Sequence, residues 1–225
     1  MSRLFYRAMI KKHTHLTRAH LTPEIPLHLI TPDTRLWQST TENCPFDDPF
    51  WGFYWPGSQA LARYILDNPV SVRGKSILEI GSGCGAASIA AKLSGASEVM
   101  ANDIDPVSLV AIAMNSEEND VECEVSDENL LEDTPSDDTD VVLMGDMFYD
   151  PEFAELVNQW IERLSSDTVV LVGDPGRLPF LEHPLKKKMR LAASYELLAS
   201  CRSENNGLTH GSVWEYDKSN NSDGK

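Results

Sequence analysis

The chain has 225 residues, of which 41% are hydrophobic and 24% charged, and a formal charge of −16. That length suits one well-buried domain and not two, and no apolar run approaches the roughly 20 residues of a membrane-spanning helix. Four scattered cysteines (Cys44, Cys84, Cys123 and Cys201), with no C-x-x-C pair, argue for a disulfide-poor compartment and against a zinc site or other metal centre.

The charge is unevenly distributed. No acidic residue precedes Glu24, whereas Arg3, Arg7, Lys11, Lys12 and Arg18 are basic. The remainder sets fourteen Lys and Arg against thirty-five Asp and Glu, a formal charge of −21. An acidic body disfavours nucleic acid, whose affinity rests on neutralising phosphates, and suits a basic protein segment. Residues 1–21 read as a mitochondrial presequence, with a solvated basic tail as the plain alternative.

Residues 22–73 form a Pro- and aromatic-rich extension expected to pack on the core, with Phe50, Trp51, Phe53, Tyr54 and Trp55 close together. Residues 74–216 alternate strand-like and helix-like segments, and 217–225 is a polar tail. In chain order, the pattern predicts a strand at Ser76–Ile80 and an Ala-rich helix at Ala86–Leu93. A strand at Glu98–Ala101 follows, then a helix opening at Pro106 and a short strand near Val121–Val125. Asp140–Met144 reads as a buried central strand, Glu152–Leu164 as an amphipathic helix and Thr168–Val172 as another buried strand. Phe180 to about Arg190 reads as a weaker helix, and segments near Tyr195–Leu198 and Leu208–Tyr216 as an antiparallel pair. This is a mostly parallel α/β sheet with an antiparallel last strand.

The segment ILEIGSGCGAA carries Gly81, Gly83 and Gly85 between a strand and a helix, where a nucleotide-bearing cofactor comes closest to backbone. Glu79, two residues before the first glycine, would repel a pyrophosphate and tolerate a cationic sulfonium with a free amine. Asp103 closes the second strand about 20 residues after the loop, where a carboxylate accepts hydrogen bonds from ribose hydroxyls. Together they favour S-adenosylmethionine over a dinucleotide. Asn129 is a candidate for the adenine, with a plain turn as the equal alternative, and Trp55 for the cofactor entrance.

Ligands and chemistry collect beyond the carboxyl ends of the strands in such folds. The fourth strand ends in GDMFYD, so Asp146 and Tyr149 are the candidate catalytic pair. Asp146 would hold an amine, and an aromatic face would pack a lysine stem and its methylated products. The plain alternatives are a Tyr149 that only plugs the loop and an Asp150 that only caps the next helix.

The D-x-x-Y of Asp146 and Tyr149, beside the E-x-G-x-G-x-G loop, resembles the protein-lysine methyltransferase branch of Rossmann-like, seven-stranded class I methyltransferases. The stretches LTPEIPLHLITPDTRLW, DDPFWGFYWPGSQALARYILDNP, ANDIDP, GDMFYD, GDPGR and GLTHGSVW are similar to those of the electron transfer flavoprotein β-subunit lysine methyltransferases. The likeness runs from about Leu21 to Trp214 and departs mainly in the acidic stretch between Glu122 and Asp138. It implies the mitochondrial matrix and the flavoprotein's β subunit as protein substrate. A methyltransferase acting on another protein or a small amine, and a non-enzymatic S-adenosylmethionine-binding module, are the other readings.

Overall fold

The computed structural model describes residues 2–136, 138–205 and 207–217. The polar tail read from Asp217 onward lies, beyond that residue, outside the described residues. The chain opens with α1 (Arg3–His13), β1 (His15–Thr17), β2 (Leu27–Leu29) and α2 (Pro56–Asp67). There follow β3 (Ser76–Ile80), α3 (Ala86–Leu93), β4 (Glu98–Asn102), α4 (Pro106–Glu118), β5 (Glu124–Ser126), β6 (Val141–Gly145) and α5 (Pro151–Glu162). The last elements are β7 (Val169–Asp174), α6 (Leu178–Leu181), β8 (Met189–Glu196), α7 (Ala199–Glu204) and β9 (His210–Tyr216).

Seven strands form one sheet in the order β5-β4-β3-β6-β7-β9-β8. β5, β4, β3, β6 and β7 are parallel, while β9 pairs antiparallel with both β7 and β8. The order reverses between β3 and β6, and such a switch point leaves a crevice beyond the carboxyl ends of the strands. Side chains alternate between the two faces, as the period of two requires. Ile77, Val141 and Leu171 pack on the α2–α3 side, and Leu78, Val142 and Val170 on the side of Trp160 and Phe180.

Local sequence explains most boundaries. Pro opens α2, α4 and α5 at a position whose missing N–H has no partner in a helix anyway. Asp105 and Asp150 cap α4 and α5 by accepting amide hydrogen bonds. The helix expected from Phe180 to Arg190 is instead the single turn α6, a 3-10 turn at Pro184–Lys188 and the start of β8. Pro184 cannot continue a helix, and Lys186 lies 3.6 Å over the Trp214 ring of the neighbouring strand.

Two segments outside the expected catalytic region belong to the folded body. α2, within the extension, covers the sheet with Leu61 and Ile65 fully buried. The basic leader folds as α1 and β1: Ile10 is buried among Trp51, Val110 and Met114, and Arg7 pairs with Glu117 of α4 at 2.5 Å. β1 pairs with β2, and the amide of His28 donates to Asn115 Oδ1 at 2.7 Å. Among the described residues no helix is long and apolar enough to cross a membrane, and no His, Cys, Asp or Glu cluster could hold a metal ion.

Candidate active site

On one side of the switch point, β3 runs straight into the glycine loop. Gly81, Gly83 and Gly85 have φ of 68°, 54° and 80°, a region that side chains with a Cβ disfavour. A Cβ on Gly81 would sit 2.3 Å from Met147 Sδ, whereas one on Gly83 would meet nothing nearer than 4.0 Å. The loop is therefore tight at its base and open at its tip. Its carbonyls are held from α4: Ser108 Oγ donates to Gly83 O and Asn115 Nδ2 to Cys84 O, both at 2.8 Å.

Two carboxylates flank the loop as the sequence spacing implies. Asp103, partly exposed just beyond β4, accepts from the Gly83 amide at 2.8 Å and from the Asp105 amide at 3.0 Å. Glu79 is 1% exposed and accepts from the Ser88 amide at 2.9 Å and the Ser88 hydroxyl at 2.5 Å. Burial pushes its carboxyl up to about 7, against the two Ser88 hydrogen bonds.

The other side of the switch point is closed by a different arrangement. Asp146 follows β6 with φ of 59°, a left-handed conformation that Asp and Asn tolerate better than most residues. Its Oδ2 accepts from the amide of Gly57 at the start of α2. Its Oδ1 accepts from Arg177 Nε at 2.7 Å, with Arg177 Nη2 at 2.6 Å. Burial raises the Asp146 carboxyl, and the guanidinium and the α2 amides oppose that.

This junction depends on small residues. A Cβ on Gly57 would lie 2.3 Å from the Gly173 carbonyl, and one on Gly173 would lie 2.1 Å from the Gly57 carbonyl. Only glycines let α2 approach the strand ends so closely. Asp174, at the end of β7, is fully buried; its Oδ1 accepts from the amides of Gly176 and Arg177 at 2.7 and 2.8 Å. Its Oδ2 has no hydrogen-bond partner, and burial, then the neighbouring Asp146 charge, pushes the carboxyl up to about 7.

Trp55 stands at the entrance, its ring 5.8 Å from the Arg177 guanidinium carbon and its Nε1 donating to Phe50 O at 3.1 Å. Tyr149 is 59% exposed and stacks on Phe153 at 4.9 Å. Its hydroxyl is raised by burial, then by the charges of Asp150 and Asp103. Asp150 is the cap of α5. Asn129 stands apart: it is exposed and its amide donates to Glu132 at 2.6 Å. Asn102 instead fixes that third loop, donating to Ser126 O and Glu128 O at 3.1 and 2.9 Å. A separate cavity of about 430 Å³ between the β1–β2 hairpin and α7 touches the mouth through Trp55 and includes none of the loop glycines.

Sequence reading assigned no role to Arg177, Asp174, Gly57 or Asn115. Arg177 and Asp174 lie in the quoted GDPGR, but the pairing of Arg177 with Asp146 spans 31 residues and no local pattern announces it. The glycine loop fits S-adenosylmethionine on this structure's own evidence. Its tip has room where a Cβ would stand, a half-buried carboxylate lies beside it, and no basic side chain holds Glu79.

Comparison with known proteins agrees. Solved structures share the fold. The ribosomal protein L11 methylase of Lactobacillus delbrueckii subsp. bulgaricus aligns with a TM-score of 0.53 at 21% identity, over 91% of this chain and 98% of that one. Magnesium protoporphyrin IX methyltransferase of Synechocystis PCC 6803, with bound S-adenosylmethionine, aligns with a TM-score of 0.53 at 14% identity, over 71% and 78%. A family model described as lysine methyltransferase matches residues 36–177. The electron transfer flavoprotein beta subunit lysine methyltransferase of Homo sapiens is 45% identical, over 93% of this chain and 81% of its own length. That of Xenopus laevis is 45% identical over 94% and 87%, and the Caenorhabditis elegans homolog 42% over 76% and 77%. An S-adenosylmethionine-dependent protein-lysine methyltransferase by fold and kinship, the chain belongs to the family of electron transfer flavoprotein beta subunit lysine methyltransferases.

Proposed function

We propose that this enzyme methylates lysine side chains of the electron transfer flavoprotein beta subunit in the mitochondrial matrix. The substrate reading is supported by relatives of 42–46% identity that carry that activity in their names. The acidic body, formal charge −21 without the basic leader, suits a lysine-bearing protein surface and not nucleic acid. The matrix reading follows from the flavoprotein named as substrate of those relatives; the acid-free stretch before Glu24 has a targeting composition but folds as α1 and β1 on the body.

The observation that carries the mechanism is Asp146 at the end of β6, across the switch point from the glycine loop, with Arg177 bonded to it and Trp55 beside that guanidinium. S-adenosylmethionine, when bound, supplies an electrophilic methyl group on a sulfonium. Gly81, Gly83 and Gly85 leave room for it, Asp103 is the acceptor for ribose hydroxyls, and Glu79 is the carboxylate below the loop. Asp146 receives the lysine as an ammonium and orients it; the proton must leave to water before the nitrogen lone pair can attack. Trp55 and Tyr149 pack the aliphatic stem and keep bulk water from the reacting nitrogen.

The test is the intact mass of purified beta subunit before and after incubation with enzyme and S-adenosylmethionine. Methyl mass increments that map to lysine are expected. An unmodified beta subunit, with labelled methyl appearing on another matrix protein or a small amine, would replace the substrate.

A further inference from the structure

The position of Arg177 carries an inference about how the substrate enters, resting on the reading of Asp146 as the amine acceptor. We propose that Arg177 occupies the cation subsite the substrate lysine must take, so that each turnover exchanges a guanidinium for an alkylammonium.

The contacts give the reason. Of the Asp146 oxygens, Oδ2 faces the first turn of α2, and Oδ1 is the one that Arg177 covers through Nε and Nη2. The Asp146 side chain is 4% exposed and the Arg177 side chain 25%, so the guanidinium is the layer between the carboxylate and water. No ammonium reaches Oδ1 while it stays there. The guanidinium also lies near the Trp55 ring. A carboxylate and an aromatic face together are the partners that a lysine ammonium and its methylated products prefer. Arg177 thus uses the recognition elements that the substrate needs.

The backbone allows this exchange without a loop movement. Asp174 holds the amides of Gly176 and Arg177, while the Arg177 carbonyl accepts from Phe180 and Leu181, both at 3.0 Å. Only the side-chain torsions of Arg177 have to change, and its outer edge already meets solvent. The return stroke serves product release. A methylated amine has fewer N–H groups for Asp146, whereas the returning guanidinium restores two charge-assisted contacts.

The variant Arg177→Lys gives the sharpest test, since it puts a methylatable amine into the subsite. In that variant the position-177 nitrogen forms a bond to the methyl as the sulfur–methyl bond breaks, its electron pair staying on sulfur and the ammonium proton having gone to water. The expected result is a methyl increment on the peptide containing position 177, at a rate per enzyme independent of enzyme concentration. A variant that melts cooperatively and binds S-adenosylhomocysteine, yet stays unmodified at position 177, overturns the proposal.

An equilibrium measurement without turnover accompanies it. Arg177→Ala vacates the subsite, so n-butylammonium should raise the melting temperature of that variant more than that of wild type, where it must displace the guanidinium. Absence of that larger rise in the folded variant overturns the proposal as well, and decides it alone if Arg177→Lys does not fold. Self-methylation of Arg177→Lys, together with a beta subunit left unmodified by the wild-type enzyme, would reject the flavoprotein as partner and leave the exchange standing.

Discussion

The two halves of the mouth are built by opposite means. At the ends of β3 and β4, three glycines and Asp103 lie within 23 residues of one another, and their geometry follows from turn chemistry. At the ends of β6 and β7, Asp146 is held by Arg177 and by the start of α2, 31 and 89 residues away in sequence. The first half is an open cradle with a carboxylate at its side. The second is a closed junction in which Arg177 already covers Asp146. Local sequence suffices to specify a cradle; a closed junction needs the tertiary fold, and opening it needs a competitor of the same charge.

The comparison breaks most severely at Gly173. A Cβ there would run into the Gly57 backbone, which no side-chain rotation can relieve. Gly173→Ala should lower unfolding free energy by roughly 3 kcal/mol as α2 is pushed off the strand ends. Urea denaturation checks this; a loss below about 1 kcal/mol would mean the junction is not closed in solution. Next in size is Asp146→Asn. Asparagine tolerates the left-handed backbone, so the change removes the charge and turns one of the two accepting oxygens into a donor, and turnover should fall by about 10²-fold, the scale of a misplaced reactant.

On the open side, Asp103→Ala should weaken S-adenosylhomocysteine binding by about 10- to 150-fold, the loss of hydrogen bonds to a charged acceptor. Calorimetry measures it, and unchanged affinity would remove Asp103 from the site. Glu79 and Asp174 sharpen the contrast through pH. Both are raised to about 7, from ordinary values of 4.5 and 3.8. Over that interval the unfolded chain has lost these protons while the folded enzyme keeps them. The stabilisation is full below the unfolded values and is lost as pH rises to about 7. Glu79→Gln should flatten its share of that slope in melts from pH 4 to 8, by roughly 1–3 kcal/mol across the range. An unaltered slope would place the ionisable burden elsewhere. The smallest effect belongs to Asn129→Ala, exposed and bonded among the described residues to Glu132. It should shift cofactor affinity by no more than about twofold, the scale of an ordinary surface substitution; a tenfold loss would return Asn129 to the adenine site.

The same contrast explains what the sequence made legible. β3, α3, β4 and β6 follow from apolar runs, alanines and prolines, and the glycine loop with Asp103 from spacing alone. α2 is hidden in the sequence because Pro56–Gly57 and the preceding aromatics mark a Pro- and aromatic-rich extension and not a helix start, although Leu61 and Ile65 lie at helical spacing and are buried against the sheet. α1 was hidden because an acid-free basic stretch also suits a targeting segment; its one fully buried residue, Ile10, finds its partners on α4 and at Trp51. The D-x-x-Y spacing put Asp146 at the mouth but could not show that Arg177 covers it. That is a fact about two loops meeting in space.

The most direct test of the division between the halves is a double comparison on one preparation. S-adenosylhomocysteine affinity and methyl transfer at saturating cofactor would be measured for Asp103→Ala and Asp146→Asn. The two-sided account predicts that Asp103→Ala weakens affinity and recovers most of its turnover once saturated. It predicts that Asp146→Asn keeps affinity within about twofold and loses about 10²-fold in turnover. An Asp146→Asn enzyme that binds cofactor as poorly as Asp103→Ala, or that turns over normally, would contradict it.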